Sequence, residues 1–309
     1  MNAAAVTTLS LPSSDGATVF VRCWDGGAPP RAVVVIAHGV SEHGERYDRL
    51  GRALASYGYR TYAPDHRGHG RSAVAGRVGD AGPGGWAGIL DDLYAVLERA
   101  RSDAPGVPAF LLGHSMGAIV AQHFIALHGD ELTGAVLSGT PTAFLGREEL
   151  IAAAEGAARG APDASSQLFL MMFAGFNDPF ETVTGFEWLS RDAAEVRKYV
   201  DDPLSGNALT NATLADFLPG WAVASSEETR ARVPRALPIL LLSGEEDPVG
   251  DRGAAPRKLA ESYRGHGVHD VTLELYPQAR HEIFNETNRN DVVRDLAAWL
   301  DARTAAAKM

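Results

Sequence analysis

The segment that most restricts the fold is Gly113-His114-Ser115-Met116-Gly117. An apolar run, Ala109 to Leu112, enters it, and an amphipathic helical run (AIVAQHFIAL) leaves it. G-x-S-x-G between a buried strand and a helix describes a sharp strand-to-helix turn. Glycines two before and two after the serine let strand and helix approach closely. The turn pushes the hydroxyl out at the carboxyl edge of a sheet. It also leaves the Met116 N–H at a helix N-terminus, where it can stabilise negative charge. The chain has 33 glycines, so the bare pattern arises easily by chance, and its position between strand and helix is what gives it weight.

The rest of the chain supplies a sheet for that turn. Thr18 to Trp24 reads as a strand, and Ala32 to Ala37 (AVVVIA) as a strand buried on both faces. A helix is expected around Tyr47 to Tyr57 and a strand at Tyr59 to Ala63. A helix follows at Ile89 to Arg101, then the strand Ala109 to Leu112, the helix Met116 to His128 and the strand Gly134 to Leu137. The pattern resumes with strand Ile239 to Ser243, helix Ala254 to Tyr263, strand Val271 to Tyr276 and helix Asp291 to Arg303. Such alternation predicts an α/β fold, a mostly parallel sheet flanked by helices. Between them lies a stretch without a strand run. It holds an Ala/Gly-rich segment (Ala152 to Ala161, expected to be mobile), a Met/aromatic run (Leu168 to Phe176) and loops at Pro179, Pro203 and Pro219. The expected organisation is therefore a core of 1–142 and 219–309, interrupted by a mainly helical insertion at 143–218.

Composition narrows the function. Lys plus Arg number 28 against 39 Asp plus Glu, a formal charge of −11, and no basic stripe is present, which disfavours nucleic acid as a partner. A single cysteine, Cys23, rules out an internal disulfide. The beginning, MNAAAVTTLSLPSSDG, has no basic n-region followed by an apolar run, and the apolar runs are strand-sized. A soluble cytoplasmic protein is expected.

A serine hydroxyl needs a general base. At a turn of this kind the partners follow in the order Ser, acid, His. His281 lies after the last strand and before the closing helix, over the same sheet edge as Ser115. His266 and His269 lie before that strand, at the opposite edge, and read as solvated loop residues. Asp247, just past ILLLSG and before Pro248, is the expected acid that orients the imidazole. Glu245 and Glu246 compete on the same loop. The loop after AVVVIA should supply a second oxyanion donor, the Val40 N–H, beside that of Met116.

Four segments carry a resemblance to a known family: HGVSEHGERY at 38–47, DHRGHGRS at 65–72, GHSMG at 113–117, and the pair GEEDPV at 244–249 with ARHEIFNE at 279–286. In order and spacing the chain resembles the monoacylglycerol lipase and lysophospholipase-like branch of the α/β-hydrolases, a branch that overlaps the serine aminopeptidase-like hydrolases. The resemblance implies the α/β-hydrolase fold with a helical lid at the insertion. It also implies a Ser115–His281–Asp247 triad acting on monoacylglycerols or similar carboxylic esters without a cofactor. It places Glu42 and Arg46 near a polar glycerol pocket, with an internal ion pair bracing the loop as the other reading. His114, next to the nucleophile, joins them as a candidate substrate contact. Asp65, His66, Arg67 and His69 are expected to brace the sheet edge; two histidines three apart without further ligands make a poor metal site.

In the insertion, Leu168, Phe169, Met171, Met172, Phe173 and Phe176 suit an acyl chain, or simply pack the insertion onto the core. Transient contact with a membrane or micelle through this lid is a further expectation. A lysophospholipase, a short-chain carboxylesterase, a peptidase and a non-catalytic binding module are the competing readings. Epoxide hydrolases and dehalogenases of this fold carry a carboxylate where Ser115 stands. Acyl-length preference and oligomeric state are not written in the sequence.

Overall fold

The computed structural model describes residues 4–73, 77–141 and 146–307. One eight-stranded sheet runs through it, in the order β1-β2-β4-β3-β5-β6-β7-β8. Strands β1 (Ala5–Pro12) and β2 (Thr18–Asp25) form an antiparallel hairpin, and β2 pairs antiparallel with β4 (Tyr59–Pro64). The other five, β3 (Ala32–Ala37), β5 (Ala109–His114), β6 (Gly134–Ser138), β7 (Ile239–Gly244) and β8 (Val271–Tyr276), continue from β4 in parallel. Strands β3, β5, β6 and β7 are buried along their whole length. Helices cover both faces there, which is why their sequences are unbroken apolar runs.

Alternate residues of each strand feed the two layers. Val33 and Val35 pack with helices α2 (Gly85–Asp103), α3 (Met116–His128) and α9 (Ala254–Gly265). Val34 and Ile36 pack with α1 (Asp48–Ser56) and α10 (Arg289–Ala306). After β3 the chain turns one way to β4 and then crosses back to β5 on the other side of β3. The carboxyl ends of β3 and β5 therefore flank the switch point, where open α/β sheets form their crevice. Residues 38–43 and Ser115 emerge there.

The insertion between β6 and β7 carries α4 (Arg147–Gly160), α5 (Gln167–Met171), α6 (Ala193–Asp201), α7 (Asn211–Ala224) and α8 (Glu227–Ala231). The Ala/Gly-rich stretch from Ala152 lies in helix α4, as alanine's propensity favours, with Ala154 packed against the core. Two expectations need amendment. Pro219 lies inside α7 rather than in a loop. Its neighbour Gly220 packs closely on the core: a Cβ at 220 would stand 2.2 Å from the Trp86 ring. The expected return to the core at residue 219 thus falls within a continuous helix, while the boundary at 142–143 lies outside the described residues. Strand β1 was not anticipated. It is an edge strand with exposed Thr and Ser positions, so it lacks the apolar alternation that marks a half-buried strand. Among the described residues, no helix is long and apolar enough to cross a membrane.

Candidate active site

Ser115 sits between β5 and α3 with φ 54° and ψ −118°. A non-glycine residue there carries roughly 1–3 kcal/mol of backbone strain, held by its surroundings. A Cβ at Gly113 would lie 2.2 Å from the Gly117 carbonyl oxygen, and one at Gly117 would lie 2.0 Å from the Ala37 oxygen. Only glycine fits at either place, and this close approach forces the sharp turn. The Ser115 N–H donates to the Ser138 carbonyl (2.9 Å), tying the turn to β6.

Asp247 follows β7 and is fully buried. Its Oδ1 accepts the Val249 N–H at 2.9 Å, and both carboxylate oxygens stand 3.0–3.1 Å from His281 Nδ1. With Nδ1 donating to Asp247, Nε2 is left as the basic nitrogen. The His281 ring is buried between His114, 4.7 Å away between centroids, and Trp188, at 5.2 Å. Gly139 (φ +56°) makes the room: a Cβ there would come within 3.0 Å of both histidine rings. Burial works against the charged imidazolium, but the Asp247 carboxylate overcomes it and raises the His281 pKa above the ordinary 6.5. His114 goes the other way, down to about 4, because burial and the neighbouring His281 both oppose its charge. Ser115 and His281 line one pocket; at rest, no hydrogen bond joins the Ser115 hydroxyl to the imidazole.

Val40 and Met116 line an adjoining, mostly apolar cleft together with Ser115, Ile119, Met172, Phe173 and Trp221. Of the six apolar insertion residues, Met172, Phe173 and Phe176 face this cleft. Phe169 and Leu168 pack into the core, and Met171 is exposed. Glu42 and Arg46 form the internal pair foreseen as one of two readings, and they also wall a polar pocket with His114 and Glu282. Glu42 accepts from the Gly39 N–H (2.6 Å), the Tyr47 hydroxyl (2.8 Å) and Arg46 (2.7 Å). Arg46 also grips both oxygens of Glu282, at 2.6 and 2.8 Å.

The competitors sit elsewhere. Glu245 and Glu246 are half-buried, and the nearest charged contact of Glu246 is Arg252 at 3.9 Å. His266 pairs with Glu227, and His269 is exposed. Asp65 accepts the Gly44 and Arg71 N–H groups, and Arg67 bridges Asp15 to Asp92, so this segment does brace the edge. Among the described residues, no group of three or more His, Cys, Asp or Glu could hold a metal.

Residues 28–288 match the family model described as Serine aminopeptidase, S33. The chain belongs to this family. Within the α/β-hydrolases it falls in the monoacylglycerol lipase branch. It is 31% identical to the monoacylglycerol lipase of Mycolicibacterium smegmatis, over 94% of this chain and 95% of that one. It is 30% identical to the mouse monoglyceride lipase, over 96% and 91%. A solved structure, a thermostable carboxyl esterase from Bacillus coagulans in complex with glycerol, superposes with a TM-score of 0.90 at 27% identity, over 97% of this chain and 99% of that one.

In this member of the family, some site residues escaped the sequence reading. His38 Nδ1 donates to the Gly39 carbonyl at 2.6 Å, while the His66 N–H donates to His38 Nε2 at 2.8 Å. Gly39 C=O and Val40 N–H belong to one planar trans peptide, so anchoring the carbonyl aims the N–H the opposite way. His38 directly precedes the glycine, and that adjacency was the available signal. Trp188, from the insertion, had none. Glu282 is the next residue after His281, but only the fold shows that Arg46 reaches it.

Proposed function

We propose that the protein hydrolyses monoacylglycerols or closely similar lipid esters through an acyl-enzyme on Ser115. The observation that carries this reading is the buried His281–Asp247 pair facing the pocket that Ser115 lines. His281 Nε2 takes the Ser115 proton as the hydroxyl oxygen attacks the ester carbonyl. Hydrogen bonds of this kind are often long in the resting enzyme and tighten around substrate. The amides of Val40 and Met116 bind the oxyanion of the tetrahedral intermediate. As the intermediate collapses, the imidazolium returns its proton to the departing alcohol. Water then attacks the acyl-serine, giving its proton to His281; as this second intermediate collapses, the imidazolium returns that proton to the Ser115 oxygen and the carboxylic acid leaves. Asp247 keeps Nδ1 protonated throughout. The apolar cleft takes the acyl chain, and the polar pocket walled by Glu42, Arg46, His114 and Glu282 faces the glycerol end. The insertion acts as the lid, with transient contact to a micelle or membrane.

A general short-chain carboxylesterase is the second reading, favoured by the likeness to the Bacillus coagulans esterase. The peptidase suggested by the family description finds less support, because the two carboxylates of the polar pocket, Glu42 and Glu282, are already bonded to Arg46. Rates on monoacylglycerols of increasing acyl length, on lysolipids and on p-nitrophenyl esters separate these. Preference for a glycerol head group with a medium or long chain is expected; equal turnover of all short esters would favour the second reading. A fluorophosphonate should label the protein, and labelling that persists in Ser115→Ala would remove the acyl-enzyme.

A further inference from the structure

The loop that carries His281 is pinned mainly from outside the sheet. Three consecutive amides are each engaged: Arg280 N–H donates to Glu286 Oε1 (2.9 Å), His281 N–H to the Trp188 carbonyl (3.3 Å) and Glu282 N–H to the Leu189 carbonyl (2.8 Å). Two of the three acceptors are backbone carbonyls of the insertion. The third, Glu286, also holds that stretch of insertion: its Oε1 accepts the Arg191 N–H at 3.0 Å, and its Oε2 accepts Arg191 Nε at 2.8 Å and the Thr287 N–H at 2.8 Å. The Glu286 side chain is fully buried, with two donors on Oε1 and three on Oε2, the third being the Thr287 hydroxyl at 3.4 Å. A buried carboxylate persists only when so saturated, and none of these donors belongs to the proposed chemistry.

We propose that Glu286 is a positioning residue for His281. It fixes the loop directly at residue 280 and, through Arg191, fastens the segment from Glu187 to Asp192 whose carbonyls hold residues 281 and 282. The middle stretch of the insertion is then part of the frame of the base, and any movement of the insertion belongs to the parts on either side of it. This rests on His281 being the general base.

Glu286→Gln tests it. Whichever way the amide turns, its NH₂ faces at least two N–H donors, so at least two bonds are lost with little change of shape. With the enzyme titrated by fluorophosphonate burst and a dissolved short ester as substrate, kcat per active site should fall about tenfold to a hundredfold, the scale of a small misplacement of a catalytic group, with KM little changed. The acid limb of the pH profile should move down as His281 loosens from Asp247. Arg191→Gln, at a partly exposed position, should act in the same direction more weakly, and it decides the matter if Glu286→Gln does not fold. A parent-like kcat and acid limb in the titrated variant, with only thermal stability lowered, would overturn the inference. Failure of the triad reading looks different: Ser115→Ala and His281→Ala would then keep their activity.

Discussion

The turn that carries Ser115 is held by strands of the sheet and by the helix that leaves it, whereas the loop that carries His281 is held by a segment of the insertion. At the first, Gly113 and Gly117 admit a contact that no side chain could share, and the strand and helix on either side complete the geometry. At the second, carbonyls of Trp188 and Leu189 fix the backbone, Asp247 fixes the ring, and Gly139 on a third strand end leaves it space. On the proposed chemistry, changes in the insertion should therefore reach the base at His281 more readily than the nucleophile at Ser115.

The sharpest break in that comparison is at the local site itself. Ser115→Ala should lower kcat by roughly 10⁴ to 10⁶ while thermal unfolding stays near the parent's, since the turn depends on the glycines rather than the hydroxyl. A large loss of stability instead would mean that the hydroxyl helps to hold the turn.

Next comes Asp247→Asn, expected to cost about 10⁴ in kcat by fixing the wrong tautomer. The pH dependence sharpens the test. His281 must be neutral to accept the proton, and Asp247 raises its pKa, so parent activity should fall as pH drops through a value above 6.5. In the variant that limb should shift to lower pH. A limb that stays in place would show that another group controls it.

Smaller still is the oxyanion side. His38→Ala frees the Gly39 carbonyl and, with it, the aim of the Val40 N–H, and should cost at most about the 10²- to 10³-fold seen on removing one oxyanion donor, with KM unchanged. His38→Asn, which can offer an N–H to the same carbonyl, should recover part of the loss. Equal behaviour of the two would separate His38 from the oxyanion loop.

The same contrast explains what could be read without coordinates. The parallel strands, the turn at Ser115 and the placement of Asp247 and His281 past strand ends follow from local pattern and chain order, both of which the sequence displays. The supports of His281 are carbonyls of Trp188 and Leu189, and a carbonyl has no sequence signature. Glu286 stood in a recognised segment, ARHEIFNE, but its partner Arg191 lies in an insertion without a motif. Edge strand β1 was hidden because exposure removes the need for apolar residues. Pro219 marks a loop by composition, yet it lies inside α7, where Gly220 packs against Trp86.

The leading part of the insertion gives the smallest and most conditional effect. Leu170 and Met171 are 46% and 69% exposed at the end of α5, directly before Met172 and Phe173 of the apolar cleft. Side chains so exposed contribute little to the fold, so the double variant Leu170→Ser, Met171→Ser should change stability by no more than about 0.5 kcal/mol. Turnover of a dissolved short ester should be unchanged. If this part of the insertion meets lipid, as an acidic protein must do through apolar rather than charged contact, the rate on micellar monoacylglycerol should fall several-fold. Equal rates of parent and variant on micelles would place the lipid contact elsewhere. A matching loss on the dissolved ester would show that the leading part, like the middle stretch at 187–192, bears on the frame of the site, and the distinction between them would fail.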